Sequence, residues 1–102
     1  MERREAFKRW LHNEKHKKSG KHIPEKTVNN YIKGIHKISD IMYETGVISK
    51  RLYSMKSIDE VQGAVNQIRK DRTYLSLNIE SENMYDKALN YYISFAEFGE
   101  NQ

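Results

Sequence analysis

The sequence predicts an all-α protein, a single compact bundle of four main helices plus a short helical turn. Two long segments, residues 24–46 and 82–98, carry apolar residues at three- and four-residue steps, the period of an amphipathic helix. A third segment begins with a helix-capping pattern at Ser57. A chain of 102 residues has the size of one domain that buries its own core, so we expect one domain over residues 1–102.

The first helix is predicted over about residues 2–14, with Phe7, Trp10 and Leu11 on its apolar face. Trp10 is the only tryptophan, and we assign it to packing because large aromatic residues dominate small cores. The basic segment 15–22 follows. Its central Ser-Gly pair breaks the helix and allows the loop to adapt.

The segment 24–46 is the longest one with an uninterrupted helical period. Pro24 suits a first helical turn, and Gly46 can adopt the left-handed conformation that ends a helix. Its predicted core face consists of Val28, Tyr31, Ile32, Ile35, Ile38 and Met42. The opposite face and the first turns carry Lys26, Thr27, Asn29, Asn30 and Lys33.

The second half of the chain predicts a brief helical turn near residues 49–53 and two further helices. Ser57 and Glu60 form a capping box before a stripe of Val61, Ala64, Val65 and Ile68. Residues 72–78 alternate in polarity, so we expect an extended connector in which Leu75 and Leu77 fill the core. The final helix is predicted over 82–98, with Gly99 as its stop. Its stripe is Tyr85, Ala88, Leu89, Tyr92, Phe95 and Ala96.

The composition excludes several classes of protein. Without cysteine there is no disulfide and no thiolate metal site. Apolar runs are too short for a membrane span, and the first ten residues lack the apolar centre of a signal peptide. We therefore expect a cytoplasmic protein that does not enter the membrane.

The charge is distributed asymmetrically along the chain. Residues 1–26 hold nine of the eighteen Lys and Arg residues but only four of the fourteen acidic residues. From residue 78 onward, five acidic residues face the single cation Lys87. Such asymmetry can steer a molecule to an anionic surface, although charges on solvated helices explain it equally simply.

Catalytic and metal-binding patterns are missing from the sequence. His12 and His16 have a spacing that suits one metal ion, but the residues between them do not form HExxH, and the neighbouring lysines would repel a cation. There is no glycine-rich phosphate loop, no cysteine nucleophile and no serine in an elbow motif. We therefore expect no enzyme activity, no metal and no cofactor.

The basic segment and the start of the following helix suit phosphate binding. Lysine predominates there, which favours attraction to phosphates over bidentate reading of bases. A helix N-terminus adds positive potential to the same region. Thr27 could instead only start the helix, and Asn30 could be a solvated polar residue. The candidate nucleic-acid-binding residues are Lys15, Lys17, Lys18, Lys21, His22, Lys26, Thr27, Asn30 and Lys33.

Two sets of motifs resemble known helical domains. The FxxWL motif at 7–11, TVNNYI at 27–32 and YETGV at 43–47 resemble the SAM-like core-binding domain of tyrosine recombinases. The NMYDKALNYYISF motif at 83–95 is similar to an N-terminal helical domain of bacterial restriction and HNH-type endonucleases. These resemblances imply a DNA-recognition module. The only role that they transfer is DNA contact by Lys26, Thr27, Asn30 and Lys33.

The leading hypothesis is thus a non-catalytic module that binds duplex DNA through phosphates. The alternative is a small phage or bacterial inhibitor that presents the acids of its last helix to a basic protein partner. Those acids are Glu80, Glu82, Asp86, Glu97 and Glu100. We expect a monomer or a weak homodimer, the latter through exposed Tyr91 and Ile93.

Overall fold

The computed structural model describes residues 3–13 and 23–100, with side chains up to residue 98, and its regular elements there are all helical. In chain order they are α1 (Arg3–Asn13), α2 (Glu25–Glu44), a 3-10 turn (Leu52–Ser54), α3 (Ile58–Lys70), α4 (Arg72–Glu80) and α5 (Met84–Glu100). The all-α prediction is confirmed, with one helix more than expected. None of the described helices has both the length and the apolar character needed to cross a bilayer.

Helix α2 lies at the centre of the fold, packed against α1, α5 and the 3-10 turn. Every residue of its predicted core face is buried. The helix ends where Gly46 takes φ 82°. There the Val47 N–H donates to the Met42 carbonyl at 2.9 Å and the Gly46 N–H to the Tyr43 carbonyl at 3.2 Å, which is a Schellman motif. The predicted end of this helix at Gly46 is therefore confirmed.

An aromatic cluster joins α1 and the 3-10 turn to α5. The Phe7 ring meets Tyr92 edge-on, with 5.0 Å between centroids, and lies 5.3 Å from Phe95. Such pairs contribute about 0.5–1.5 kcal/mol each beyond the area they bury. The Tyr92 hydroxyl donates to the Leu52 carbonyl at 3.0 Å, which anchors the 3-10 turn on α5. Trp10 packs at the edge of the same cluster, half-buried.

Helix α3 follows its sequence prediction. The Ser57 hydroxyl accepts the Glu60 N–H at 3.2 Å, as a capping residue does. The predicted stripe of Val61, Ala64, Val65 and Ile68 is buried. At the C-terminal end of α3, Arg69 reaches across to α5, where it donates to Asp86 at 3.1 Å and to Asn90 at 2.6 Å.

Helix α4 replaces the extended connector that the sequence predicted, so that prediction is wrong. An Asp71 carboxylate oxygen accepts the Tyr74 N–H at 3.1 Å and caps the helix. Tyr74 is buried and Leu77 half-buried, three residues apart on the inner face. Leu75 is 45% exposed, so it does not fill the core.

Helix α5 also differs from its predicted bounds. Glu82 and Asn83 have positive φ values of 56° and 69°, which places them in the turn, so the helix begins at Met84. Asn78 of α4 accepts the Asp86 N–H at 3.0 Å and thereby caps the first turn of α5. At the other end, the helix continues through Gly99 to Glu100. The prediction that the helix stops at Gly99 is therefore wrong. A glycine within a helix lowers its stability by only about 1 kcal/mol relative to alanine, which is too little to force the helix to end.

Candidate nucleic-acid interface

The exposed face of α2 carries a row of cationic and amide side chains. Lys26, Asn30, Lys33 and Lys37 are all exposed, and they follow one another at steps of four, three and four residues. This spacing places them in one narrow sector of the helix. From Lys26 to Lys37 the helix rises by roughly 17 Å, at about 1.5 Å per residue. We call these four residues the α2 stripe.

The lysines of the α2 stripe are not neutralised by acids of the described ranges. None of the ion pairs found within residues 3–13 and 23–98 includes Lys26, Lys33 or Lys37. Asp40, one turn beyond the stripe, accepts a hydrogen bond from Arg51 at 2.6 Å and lies 3.3 Å from His36. The stripe therefore presents its positive charge to solvent.

Three of the nine predicted binding residues, Lys26, Asn30 and Lys33, come together on this stripe. Thr27 is half-buried, and one helical step of about 100° turns it away from the stripe. The remaining five, Lys15, Lys17, Lys18, Lys21 and His22, lie outside the described residues and stay predictions. Lys37 was missed by the sequence reasoning, although its four-residue step from Lys33 was a sufficient signal.

The start of α2 adds positive potential at one end of the stripe. The first intrahelical bond runs from the Val28 N–H to the Pro24 carbonyl at 3.0 Å, so the N–H groups of residues 25–27 have no partner within the helix. Pro24 provides no side-chain cap. The exposed carboxylate of Glu25 in the first turn offsets part of this potential.

A shallow groove separates the stripe from the α4–α5 turn. Its cavity of about 300 Å³ is lined by Asn30, Lys33, Gly34 and Lys37 from α2 and by Ser81, Met84 and Tyr85. A Cβ atom at Gly34 would lie 2.8 Å from the Met84 sulfur, closer than side chains normally approach. Because Gly34 has no Cβ, the end of the Met84 side chain packs directly on the α2 backbone at the floor of the groove.

On another side of α2 lies a second cavity of about 340 Å³, which we call the arginine pocket. It is lined by Arg3 and Arg4 of α1, His36 and Ser39 of α2, and Arg51, Tyr53 and Ser54 around the 3-10 turn. The Tyr53 hydroxyl donates to the Ile32 carbonyl at 3.2 Å. Burial of this hydroxyl raises the pKa of Tyr53 well above its usual value, so it remains a neutral wall of the pocket.

The acidic residues of the C-terminal region do not form one face. Glu80 and Glu82 are exposed beside the α4–α5 turn, whereas Glu97 is exposed on α5 roughly 20 Å from the start of that helix at Met84, by the rise of about 1.5 Å per residue. Asp86 is half-buried and bonded by Arg69. The side chain of Glu100 lies outside the described residues. The inhibitor alternative thus stays a prediction, but its acids are divided between two ends of α5.

The two residues proposed for homodimerisation are half-buried rather than exposed, and the homodimer itself stays a prediction. Tyr91 and Ile93 are half-buried and pack against the core. The Tyr91 ring lies 5.3 Å from that of Tyr31 and 6.5 Å from that of Trp10. Their apolar surface is largely used within the monomer, because α5 leans on α2 and α1 through these rings.

Comparison with known proteins yields no match to a protein-family model, to a curated protein or to a solved structure. The likeness to recombinase and endonuclease domains therefore stays a prediction. Phe7, Tyr31, Ile32 and Tyr85, which carry much of that likeness, are buried core residues. The likeness is thus mainly one of helix packing, and DNA contact has to be argued from the α2 stripe itself.

The described ranges contain no cluster of side chains suited to metal binding. Within residues 3–13 and 23–98, no three His, Asp or Glu side chains are grouped so that they could hold a metal ion. His12 is exposed near the end of α1. His16, four residues further along the chain, lies outside these ranges.

Proposed function

We propose that the chain is a non-catalytic DNA-binding module that grips the phosphates of duplex DNA. The contacts come from the α2 stripe, from the start of α2 and from the lysine-rich segment 15–22. The observation that carries this proposal is the set of three exposed lysines on one face of α2 without an acidic partner in the described ranges. A polyanion such as DNA is attracted to a protein face that carries several cations without neighbouring acids.

The dimensions of the stripe support the proposal. One strand of B-DNA carries a phosphate about every 3.4 Å of helix axis, so the stripe of roughly 17 Å matches the axial rise of about five phosphates. Lysine ammonium groups are flexible point charges and therefore suit phosphate oxygens better than base edges. Asn30 lies among them and can contribute hydrogen bonds to a sugar or phosphate. We therefore expect weak dependence on sequence and strong dependence on salt.

The lysine-rich segment extends this surface through chain connectivity. It joins the end of α1 at Asn13 to the start of α2 through Ile23, which is buried and anchors the chain there. Lys26 follows His22 by four residues, so the segment and the stripe meet at the start of α2. Together they place seven lysines between residues 15 and 37 against a single acid, Glu25 at the start of α2.

An electrophoretic shift with duplex and single-stranded DNA tests the proposal. We expect the wild type to retard duplex DNA at low salt and the variant Lys17→Glu/Lys18→Glu/Lys21→Glu to bind at least about tenfold more weakly, with nearly unchanged thermal stability. Absence of any shift at low salt would contradict the proposal. So would a protein partner whose binding tolerates this variant but is lost on Glu80→Lys/Glu82→Lys, which would favour the inhibitor alternative.

A further inference from the structure

The arginine pocket contains more positive charge than its surroundings neutralise. Three guanidinium groups and the His36 imidazole line it. Within the described residues, Asp40 is the one carboxylate that contacts these groups. Its oxygens lie 2.6 Å from Arg51 Nε and 3.3 Å from His36 Nε2. Arg3 and Arg4 therefore face the pocket without a carboxylate partner in those ranges.

Arg3 is held in a defined position. Its Nε–H donates to the Met55 carbonyl at 2.5 Å, and its guanidinium lies 5.9 Å from the centre of the Phe95 ring. A guanidinium carries five N–H donors, and the bond to Met55 uses only one of them. Arg4 is exposed beside it. The pocket thus combines one pre-positioned guanidinium with one that can adapt to a ligand.

The chemistry of these groups selects an oxyanion with two negative charges. Guanidinium forks bind the paired oxygens of phosphate with matched geometry, and two uncompensated forks suit a dianion better than a monoanion. The exposed Ser54 adds a hydroxyl donor to the lining. A phosphomonoester carries a charge of about −1.5 to −2 at neutral pH, whereas an internal phosphodiester of DNA carries one.

The shape and place of the pocket indicate where such a group comes from. The pocket is a recess between three elements, so it accepts a group that protrudes from its carrier rather than a continuous backbone. His36 in its lining directly precedes Lys37 of the α2 stripe and lies one helical step of about 100° from it, so the pocket opens on the side of α2 next to the face that carries the stripe. We propose that the arginine pocket binds a phosphomonoester dianion, the terminal phosphate of a DNA strand whose backbone lies on the α2 stripe. The choice of DNA as the carrier rests on the proposed function.

The test compares short duplexes that differ only at their ends: 5′-phosphate, 3′-phosphate or hydroxyl at both. Affinity is measured by fluorescence anisotropy for the wild type, Arg4→Gln and the control Arg72→Gln, an exposed arginine on α4 outside the pocket lining. We expect the wild type and Arg72→Gln to prefer a phosphorylated end by roughly fivefold, the upper value for an exposed ion pair. Arg4→Gln should lose this preference while it still binds the hydroxyl duplex.

Two outcomes would overturn the inference while leaving the proposed function intact: equal binding of all ends by the wild type, or a preference that survives in Arg4→Gln. If no duplex binds at all, the proposed function fails, and a titration with thymidine monophosphate decides on the pocket separately. Shifts of the Arg3 and Arg4 NMR resonances that thymidine does not cause would support a pocket for a free phosphomonoester. Absence of such shifts would overturn the pocket too.

Discussion

Replacing Ser39 by alanine removes the buried hydrogen bond that ties the 3-10 turn to α2. Ser39 is 2% exposed, and apart from the tyrosines it is the one buried residue with a polar side chain in the described ranges. Its Oγ accepts the N–H of Leu52, itself fully buried, at 2.7 Å. Alanine preserves the helix but leaves this N–H without its acceptor. The turn carries one wall of the arginine pocket, so the bond matters for that site as well as for stability.

The magnitude follows from two opposing effects. A buried donor left unsatisfied costs about 1–3 kcal/mol. Alanine has the better helix propensity and returns up to about 0.5 kcal/mol. We therefore expect the free energy of unfolding to fall by about 0.5–3 kcal/mol, and Tm to fall by roughly 2–24 °C for a domain of this size.

Chemical denaturation followed by circular dichroism and by the fluorescence of Trp10 measures this loss. The matched control is Ser76→Ala, which replaces an exposed helical serine of α4 and should stabilise the protein slightly. If Ser39→Ala and Ser76→Ala have the same unfolding free energy, the bond to Leu52 does not hold the turn and the reasoning is refuted.

Two further predictions concern α4 and alkaline pH. Asp71→Ala removes the cap of α4 and should lower the free energy of unfolding by about 1 kcal/mol. The amide protons of α4 should exchange faster in this variant than in the control variant Asp59→Ala. Equal exchange of the α4 amides in both variants would contradict the capping role of Asp71. Burial raises the pKa of Tyr74 and of Tyr92 to about 12. Because these hydroxyls ionise near pH 10 in the unfolded chain, their contribution to stability is complete below pH 10 and is lost as the pH rises towards 12. A pH titration of tyrosinate absorbance and circular dichroism should show Tyr74 and Tyr92 ionising together with loss of helix; complete ionisation of all tyrosines in a fully helical protein would contradict this.

The helical periods in the sequence predicted most of the core. The apolar stripes of α2, α3 and α5 are buried as expected, because a three- and four-residue repeat leaves little choice about which face turns inward. The end of α2 was also predictable, since the positive φ at Gly46 is a local property of glycine. These are features that neighbouring residues determine among themselves.

Features that depend on distant residues could not be predicted. Residues 72–80 are too short to show a clear period, and α4 is fixed by Asp71 and by the burial of Tyr74 against the rest of the core. The arginine pocket brings α1 to the 3-10 turn through the bond from Arg3 to Met55, across 52 residues of sequence. No local pattern announces such a contact. The α2 stripe, by contrast, was three-quarters predictable from helical spacing.

The salt dependence of duplex binding tests the central role of the α2 stripe most directly. The stripe variant Lys33→Gln/Lys37→Gln is compared with the control variant Lys56→Gln/Lys70→Gln. The control removes the same charge from exposed lysines that line neither the groove beside the stripe nor the arginine pocket. Each lost phosphate contact lowers the slope of log affinity against log salt by about 0.9. We therefore predict that the affinity advantage of the wild type over the stripe variant shrinks by roughly twelvefold between about 50 and 200 mM salt, while the control keeps the slope of the wild type. Identical slopes for the wild type and the stripe variant would contradict phosphate binding by this face.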